Sequence, residues 1–219
     1  MQRGHATTIS AIQSFANNKT CLIFLLQEPW YAGGKTPPSH PDFDMFIPCS
    51  KQPSCATYVR RLTGLTAHTT LTHKNLFLVT SVTIMDYTFE LCNFYTPGRA
   101  GPLADFLPHF KPTLPCILMG DLNAHHQWWY GVKAPDTHNI RNFSSSSNKI
   151  VDWLEKHQFR LHNTPGRPTH FPRNGNQSSV IDLAFTAGPI ISRVMALQID
   201  DDTTSDHSAL GLTGISRTP

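Results

Sequence analysis

The chain has 219 residues, enough for one large domain or two small ones with a substantial buried core. Charged residues make up only 15% of it, and the formal net charge of +3 is too small to identify a polyanionic partner by itself. No apolar run approaches the roughly 18 residues that a membrane-spanning helix needs, and no signal-peptide core follows Met1. Five cysteines without a C-x-x-C pair fit a reducing compartment, so we expect a soluble intracellular protein.

The pattern of apolar residues predicts helices and strands along most of the chain. Helical spacing predicts helices at residues 7–18, 103–110 and 148–157. Continuous or alternating apolar runs predict strands at residues 21–26, 56–61, 65–70, 76–84, 87–95, 116–119, 160–163, 169–171, 179–186, 192–199 and 208–213. Loops are predicted at 31–53 and from Trp128 to the serine run 144–147. Many strands with a few helices indicate an α/β domain of layered sheets.

One stretch concentrates polar groups directly after a strand that looks buried. Gly120 follows four apolar residues and is predicted to end that strand. A carboxylate, an amide and two imidazoles come next: Asp121, Asn123, His125 and His126. On this stretch alone, a polar turn and a functional site are equally good interpretations.

Other apolar strands carry polar groups that a core strand does not need: Glu28, Asn93, Tyr95, Asp182, Asp206 and His207. Taken singly, Glu28 fits a surface charge, Asn123 a turn amide and His207 a core or solvated histidine. Asp182 is harder to explain, because a carboxylate in an apolar strand is costly unless it is paired or bound to a cation. Together the groups suit hydrolysis of a phosphodiester, with carboxylates for Mg²⁺ and a histidine held by an aspartate.

Five segments in chain order resemble the successive motifs of the endonuclease/exonuclease/phosphatase superfamily. They are Gln27-Glu28-Pro29, Asn93-Phe94-Tyr95-Thr96-Pro97, Gly120-Asp121-Leu122-Asn123-Ala124-His125-His126, Ser179-Val180-Ile181-Asp182-Leu183 and Ser205-Asp206-His207. The tryptophans after His126 and the segment at 161–171 resemble the endonuclease domain of non-LTR retrotransposons, an apurinic-endonuclease-like branch. The resemblance implies a DNase I-like fold, a four-layered α/β sandwich of two packed mixed sheets flanked by helices.

The resemblance also implies one domain over residues 1–219 that is short at its N-terminus. The family's first strand carries an asparagine near the metal. In this chain that strand would precede Met1, which would then be an internal methionine of a longer element. Gly98 stands where many relatives place an asparagine that helps to hold the phosphate. We expect these departures to weaken metal affinity and the catalytic rate.

By position in these motifs, Glu28 and Asp206 are the implied metal ligands. Tyr95 would contact the scissile phosphate, Asp121 would handle the attacking water or the leaving group, and Asn123 would orient the phosphate. Asp182 is the implied partner of the catalytic His207, with Asp206 beside it. Implied substrate-binding residues are Asn93, Trp128, Arg167 and Ser179. His125 and His126 match no metal or proton-transfer role, so we expect them to shape the loop before Trp128.

Several loop residues allow two interpretations. Trp128, Trp129, Tyr130, Arg167, Arg173 and Asn174 fit either DNA contacts or packing of the loop. Lys133, Arg141 and Lys149 fit either phosphate contacts or scattered surface charge.

The predicted function is an endonuclease that uses Mg²⁺, or Mn²⁺ as an alternative, to nick double-stranded DNA in the nucleus. Family resemblance alone adds a partner, the reverse transcriptase domain of a longer element, which would extend the 3′-hydroxyl. A phosphatase or phosphodiesterase of the same fold and a catalytically impaired DNA-binding remnant remain open alternatives.

Overall fold

The computed structural model describes residues 4–31, 36–98, 101–131, 145–173, 176–194, 196–200 and 205–213. The sequence-based interpretations of Lys133, Arg141 and Asn174 fall outside these residues. The chain divides into two compact units, residues 1–95 and 96–219. Within the described residues, no helix combines the length and the apolar character that crossing a membrane requires.

The described part of the first unit consists of one helix and six strands. Helix α1 (His5–Asn17) precedes β1 (Ile23–Gln27), β2 (Phe43–Phe46), β3 (Cys55–Arg60), β4 (Leu65–His73), β5 (Phe77–Ile84) and β6 (Tyr87–Tyr95). Strands β1, β3 and β2 form an antiparallel sheet with β3 in the middle. Strands β4, β5 and β6 follow one another as an antiparallel meander, which short connections permit.

Helix α1 packs its apolar face on the three-stranded sheet. Ile12 and Ala16 are buried against Phe24, Phe43 and Tyr58. The rings of Phe24 and Tyr58 stack with their centroids 4.5 Å apart. Burial of each large apolar side chain stabilises the fold by about 1.5–3 kcal/mol, so this cluster anchors the helix.

A buried arginine completes the C-terminal end of α1. Only 5% of Arg60 is exposed, and its guanidinium lies 4.5 Å from the centre of the Phe43 ring. Its nitrogens donate hydrogen bonds of 2.9–3.2 Å to four backbone carbonyls, those of Phe15, Ala16, Asn18 and Cys21. Because the last carbonyls of a helix lack partners within the helix, Arg60 satisfies them and stabilises the negative end of the helix dipole.

The described part of the second unit holds three α-helices, five strands and two short 3-10 helices, Leu107–His109 and Gly188–Ser192. The α-helices and strands are α2 (Gly101–Phe106), β7 (Cys116–Asp121), α3 (Gln127–Tyr130), α4 (Ser145–Lys156), β8 (Arg160–Leu161), β9 (Asp182–Ala187), β10 (Ala196–Asp200) and β11 (Ala209–Thr213). Strand β9 pairs with β7 on one side and β8 on the other, and β10 pairs with β11, all antiparallel. Helix α4 buries Ile150, Val151 and Leu154.

The structure confirms some predicted elements and corrects others. Strand β6 matches the predicted range 87–95, although its side chains alternate in exposure only in the first half and the last five are all buried. The predicted stop at Gly120 is wrong, since β7 continues to Asp121 through its pairing with β9. The predicted strand at 169–171 is reduced to isolated bridges at His170. The residues around Trp128, predicted as a loop, form the short helix α3.

Candidate functional site

Two buried carboxylates face each other at one end of the strand pair β7 and β9. The antiparallel register places Asp121, the last residue of β7, directly opposite Asp182, the first residue of β9. Opposed residues of neighbouring strands project their side chains to the same face of the sheet. Only 2% of Asp121 and 8% of Asp182 is exposed. The pairing therefore concentrates two negative charges where little water can screen them.

Asn123 holds the Asp121 carboxylate from the turn that follows β7. Its backbone N–H donates to Asp121 Oδ1 and its Nδ2 donates to Asp121 Oδ2, each at 2.9 Å. The same Nδ2 donates to the carbonyl oxygen of Thr96 at 2.9 Å. Asn123 has a φ of +46°, a left-handed conformation that asparagine adopts more readily than most residues. The Asp-x-Asn spacing thus places the amide directly against the carboxylate.

His207 contacts both oxygens of the Asp182 carboxylate. The distances from His207 Nδ1 to Asp182 Oδ1 and Oδ2 are 3.1 and 3.0 Å. The backbone N–H of His207 donates to Ser205 Oγ at 3.1 Å, which fixes the turn that carries the ring. The structure therefore brings together the pair that the sequence predicts, and the carboxylate sets the orientation of the imidazole.

The charges of this cluster shift the pKa values of its members. Burial, and after it the charge of Asp182, raises the pKa of the Asp121 carboxyl from 3.8 to about 7. Burial alone would lower the pKa of His207, but the hydrogen bond and charge of Asp182, with the charge of Asp121, outweigh it, and the pKa rises. Near neutral pH the cluster therefore contains a carboxyl that can exchange a proton and an imidazole biased toward its charged form.

Two buried polar residues that the sequence-based site omitted hold the backbone of β9. Thr169 Oγ1 accepts hydrogen bonds from the N–H groups of Ile181 and Asp182 at 3.2 and 3.0 Å. Asn163 donates from Nδ2 to the Asp182 carbonyl and accepts from the Ala184 N–H, both at 2.9 Å. Both lie in the segment 161–171 that carries the family resemblance, which is the signal that could have identified them.

A second histidine, also missed, lies beside His207. The ring centroids of His170 and His207 are 4.5 Å apart. His170 Nδ1 lies 3.1 Å from Ser179 Oγ, and its Nε2 lies 3.8 Å from Asp206 Oδ2. The predicted site residues Ser179 and Asp206 thus both contact His170, whose ring lies beside that of His207.

Helix α3 gives the predicted tryptophans mainly structural contacts. His126 Nδ1 accepts from the Trp128 N–H at 3.1 Å and so caps the helix, which agrees with the shaping role expected for His126. Trp129 is fully buried, and its indole N–H donates to the carbonyl of Ala124. The half-buried Trp128 lies 5.9 Å from the ring of Phe185. Packing therefore accounts for Trp129, whereas Trp128 still presents an edge to solvent.

Tyr130, at the end of α3, and Arg167 are two further residues that the sequence left open between DNA contacts and packing. Tyr130 Oη accepts from the Val180 N–H at 3.0 Å and lies 2.7 Å from His125 Nδ1, which ties α3 to the segment entering β9. Arg167 is exposed. Its backbone N–H donates to the carbonyl of Thr164 at 3.1 Å, which forms a turn.

The first unit carries the three remaining predicted site residues, Glu28, Asn93 and Tyr95. Glu28 follows β1 with a φ of +48°, and its N–H donates to the carbonyl of Ser54. Asn93 is fully buried and accepts from Gln27 Nε2 at 2.8 Å, so β6 positions the segment that presents Glu28. Tyr95 ends β6 and is 7% exposed. Asn93 therefore has a positioning contact, and its substrate-binding role stays a prediction.

The donors of the second unit fit a divalent cation. One ligand atom each from Asp121, Asp182 and His207 lies within 4.8 Å of the others. Carboxylate oxygens are the protein ligands that Mg²⁺ prefers. The raised pKa of Asp121 reflects concentrated negative charge that a bound cation would offset.

Solved structures of several nucleases resemble this chain. The endonuclease domain of TRAS1, a telomere-specific non-LTR retrotransposon, matches with a TM-score of 0.76 and 17% identity over 99% of this chain and 95% of that one. The AP endonuclease LMAP of Leishmania major matches at 0.70 and 14%, over 93% and 81%. The 3′ phosphatase NExo of Neisseria matches at 0.67 and 12%, over 94% and 93%. The similarity shows the DNase I-like α/β fold that the sequence predicts.

Sequence comparison assigns the family. No curated protein matches the chain. The model of the endonuclease-reverse transcriptase family matches residues 90–210, which include Asp121, Asn123, Asp182 and His207. More than half of the chain is covered, and the match includes both strands that carry the buried carboxylates. The chain belongs to the endonuclease-reverse transcriptase family, within the endonuclease/exonuclease/phosphatase superfamily.

Proposed function

We propose that this protein is a Mg²⁺-dependent endonuclease that nicks one strand of double-stranded DNA at a target site for retrotransposition. The observation that carries the proposal is the contact of His207 with both oxygens of Asp182, directly beside the Asp121 carboxylate held by Asn123. Support also comes from the family match and from the likeness to a retrotransposon endonuclease domain. The site of action would be the nucleus, with a reverse transcriptase domain as the partner.

The proposed reaction assigns one task to each member of the cluster. Asp121, whose pKa of about 7 suits proton transfer at neutral pH, accepts a proton from the attacking water. The water oxygen bonds to phosphorus, the bond from phosphorus to the 3′ oxygen breaks, and that oxygen takes a proton from solvent. The products are a 5′-phosphate and a 3′-hydroxyl. Asp182 keeps the His207 imidazole oriented, so that its other nitrogen can donate to a phosphate oxygen.

The remaining predicted residues would bind the cation and the DNA. Glu28 and Asp206 would hold Mg²⁺, which when bound supplies positive charge opposite the phosphate oxygens. Tyr95 would donate a hydrogen bond to the phosphate. Asn123 would orient the phosphate indirectly by fixing the Asp121 carboxylate, because both hydrogens of its amide already donate to Asp121 and Thr96. Contacts along the duplex would come from Trp128, Arg167 and Ser179. Asn93, which is fully buried, would support substrate binding only through Gln27 and the segment that presents Glu28.

Nicking of a supercoiled plasmid tests this function. We expect relaxed circles with Mg²⁺ and none with EDTA, and a loss of roughly 10²–10⁴-fold in rate for Asp121→Ala and His207→Ala. Asp105→Ala, which removes an exposed carboxylate from the same unit, should nick like the native chain. Equal nicking by all variants would overturn the site. Duplex binding without nicking in either Mg²⁺ or Mn²⁺ would instead select a DNA-binding remnant.

Removal of a terminal phosphate is a second candidate, favoured by the likeness to the 3′ phosphatase NExo. Incubation with a duplex that carries a 3′-phosphate at an internal nick separates the two activities. Release of inorganic phosphate without cleavage of an intact strand would favour the phosphatase, and cleavage of the intact strand would favour the endonuclease.

A further inference from the structure

We propose that His170, Asp206 and His207 form a binding site for a transition-metal ion such as Zn²⁺, and that its occupation inhibits the proposed nuclease. The inhibitory part rests on the proposed function, whereas the binding site does not. One ligand atom from each of the three residues lies within 4.8 Å of the other two. The distance from His170 Nε2 to Asp206 Oδ2 is 3.8 Å. Ligands around a tetrahedral Zn²⁺ are roughly 3.3 Å apart, so small side-chain rotations would close the site.

Each imidazole is already oriented through its Nδ1 atom. His170 Nδ1 lies 3.1 Å from Ser179 Oγ, and His207 Nδ1 lies 3.0 Å from Asp182 Oδ2. Metal-binding histidines characteristically use one ring nitrogen for the metal and donate the other N–H to an oxygen. The two oxygens beside Nδ1 therefore favour Nε2 as the ligating atom in both rings.

The backbone also brings the two rings together. His170 forms antiparallel bridges with both Ser179 and His207, and the N–H of Phe171 donates to the Asp206 carbonyl at 2.7 Å. A pocket of about 340 Å³, lined by Phe171, Arg173, Ser205 and Asp206, gives an ion a path from solvent. The side chains of His170 and Asp206 are 21% and 11% exposed, so the ion would be partly dehydrated when bound.

The donor set discriminates between metals. Two imidazoles and one carboxylate suit Zn²⁺, Ni²⁺ or Co²⁺, whereas Mg²⁺ prefers oxygen ligands and retains water. A Zn²⁺ ion here would occupy the His207 nitrogen that the proposed reaction needs and would draw Asp206 away from Mg²⁺. We therefore expect Zn²⁺ to inhibit at concentrations far below those at which Mg²⁺ supports nicking.

The binding test uses Co²⁺, a coloured substitute for Zn²⁺, with the full chain in the absence of Mg²⁺ and DNA. We expect one equivalent to give the intense visible absorption of a four-coordinate site, and Zn²⁺ to displace it. His170→Gln should weaken binding roughly tenfold or more, as should Asp206→Asn. His109→Gln, which removes an exposed histidine of the same unit, should bind like the native chain. Circular dichroism establishes that each variant is folded.

Equal binding by the native chain and both site variants, or equal loss in His109→Gln, would overturn the site. For the regulatory part, the Zn²⁺ concentration that halves Mg²⁺-dependent nicking should rise roughly tenfold or more in His170→Gln, and an unchanged concentration would overturn inhibition through this site. If no protein nicks DNA but the Co²⁺ absorption depends on His170, the nuclease proposal fails and the metal site stands.

Discussion

The chain buries charge in two different ways, once in each unit. In the first unit, Arg60 is surrounded by four carbonyl acceptors and the face of Phe43, and Asp42 lies 3.6 Å from its Nη1. In the second unit, Asp121 faces the like charge of Asp182, and burial and that charge raise its pKa. Arg60 is thus surrounded by acceptors, whereas Asp121 is held against a like charge, and this repulsion is not something that folding alone requires.

The difference indicates how to separate structural from functional charge in this chain. A buried charge whose partners are all present stabilises the fold, and its removal lowers the free energy of unfolding. A carboxylate held against a like charge lowers stability, so its retention points to chemistry or to a cation. Substitution of Arg60 should therefore lower stability, whereas neutralising the charge of Asp121 should raise stability and lower activity.

The largest effect is expected for Asp182→Asn, which removes the charge that faces Asp121. Nicking should fall roughly 10²–10⁴-fold, because the neutral amide no longer supports a charged His207. The pKa of His207 should fall as well, since the hydrogen bond and charge of Asp182 raise it in the native protein. NMR titration of the His207 ring measures the second effect. An unchanged His207 titration would refute the pairing, and Asp105→Asn serves as the control.

Arg60→Met should destabilise the fold by about 3 kcal/mol, because several helix-end carbonyls lose their donor in a buried setting. The neighbouring Arg61 offers a matched control. Its side chain is 55% exposed and pairs with Asp44 at 2.8 Å, so Arg61→Met should cost less than about 1 kcal/mol. Urea unfolding measures both free energies. Equal losses would mean that the buried hydrogen bonds of Arg60 contribute no more to the free energy of unfolding than the exposed contacts of Arg61.

Asp121→Asn should stabilise the metal-free protein by on the order of 2 kcal/mol at pH 8. The pKa of Asp121 is 3.8 when unfolded and about 7 when folded. Between these values the folded state keeps a proton that the unfolded state has lost, so the native free energy of unfolding falls as the pH rises. The raised pKa of His207 acts in the same direction, because its stabilising pairing weakens as the ring deprotonates.

Urea unfolding in EDTA at pH 5 and pH 8 tests this dependence. The gap between Asp121→Asn and the native chain should widen at pH 8 and shrink toward pH 4. A gap that is the same at both values would contradict the raised pKa of Asp121.

The sequence predicts these features to the extent that local pattern and motif order determine them. Strand β6 follows from alternation, and the contact between Asp182 and His207 agrees with the order of the motifs. The sequence does not reveal which residues of separate motifs contact one another, such as His170 with Asp206. Helix α3 escapes prediction because its N-cap is His126, and histidine is not among the usual capping residues.

Gly120 illustrates the opposite error. Glycine weakens a strand by its own conformational preference, so the pattern predicts an end there. Its cross-strand pairing with Leu183 decides otherwise and carries β7 on to Asp121. The prediction thus fails at the residue before the carboxylate, where tertiary pairing outweighs local propensity.

The smallest effect is expected for Thr169→Val, which tests the support of the carboxylate rather than the carboxylate itself. Valine keeps the shape of threonine but leaves the N–H groups of Ile181 and Asp182 without their acceptor. We expect a loss of about 1–2 kcal/mol in stability, measured by urea unfolding, against almost none for the exposed Thr66→Val. Because Asn163 still holds the Asp182 carbonyl, nicking should fall far less than in Asp182→Asn. A loss of activity as large as that of Asp182→Asn would show that the backbone position of Asp182, and not its charge, limits the reaction.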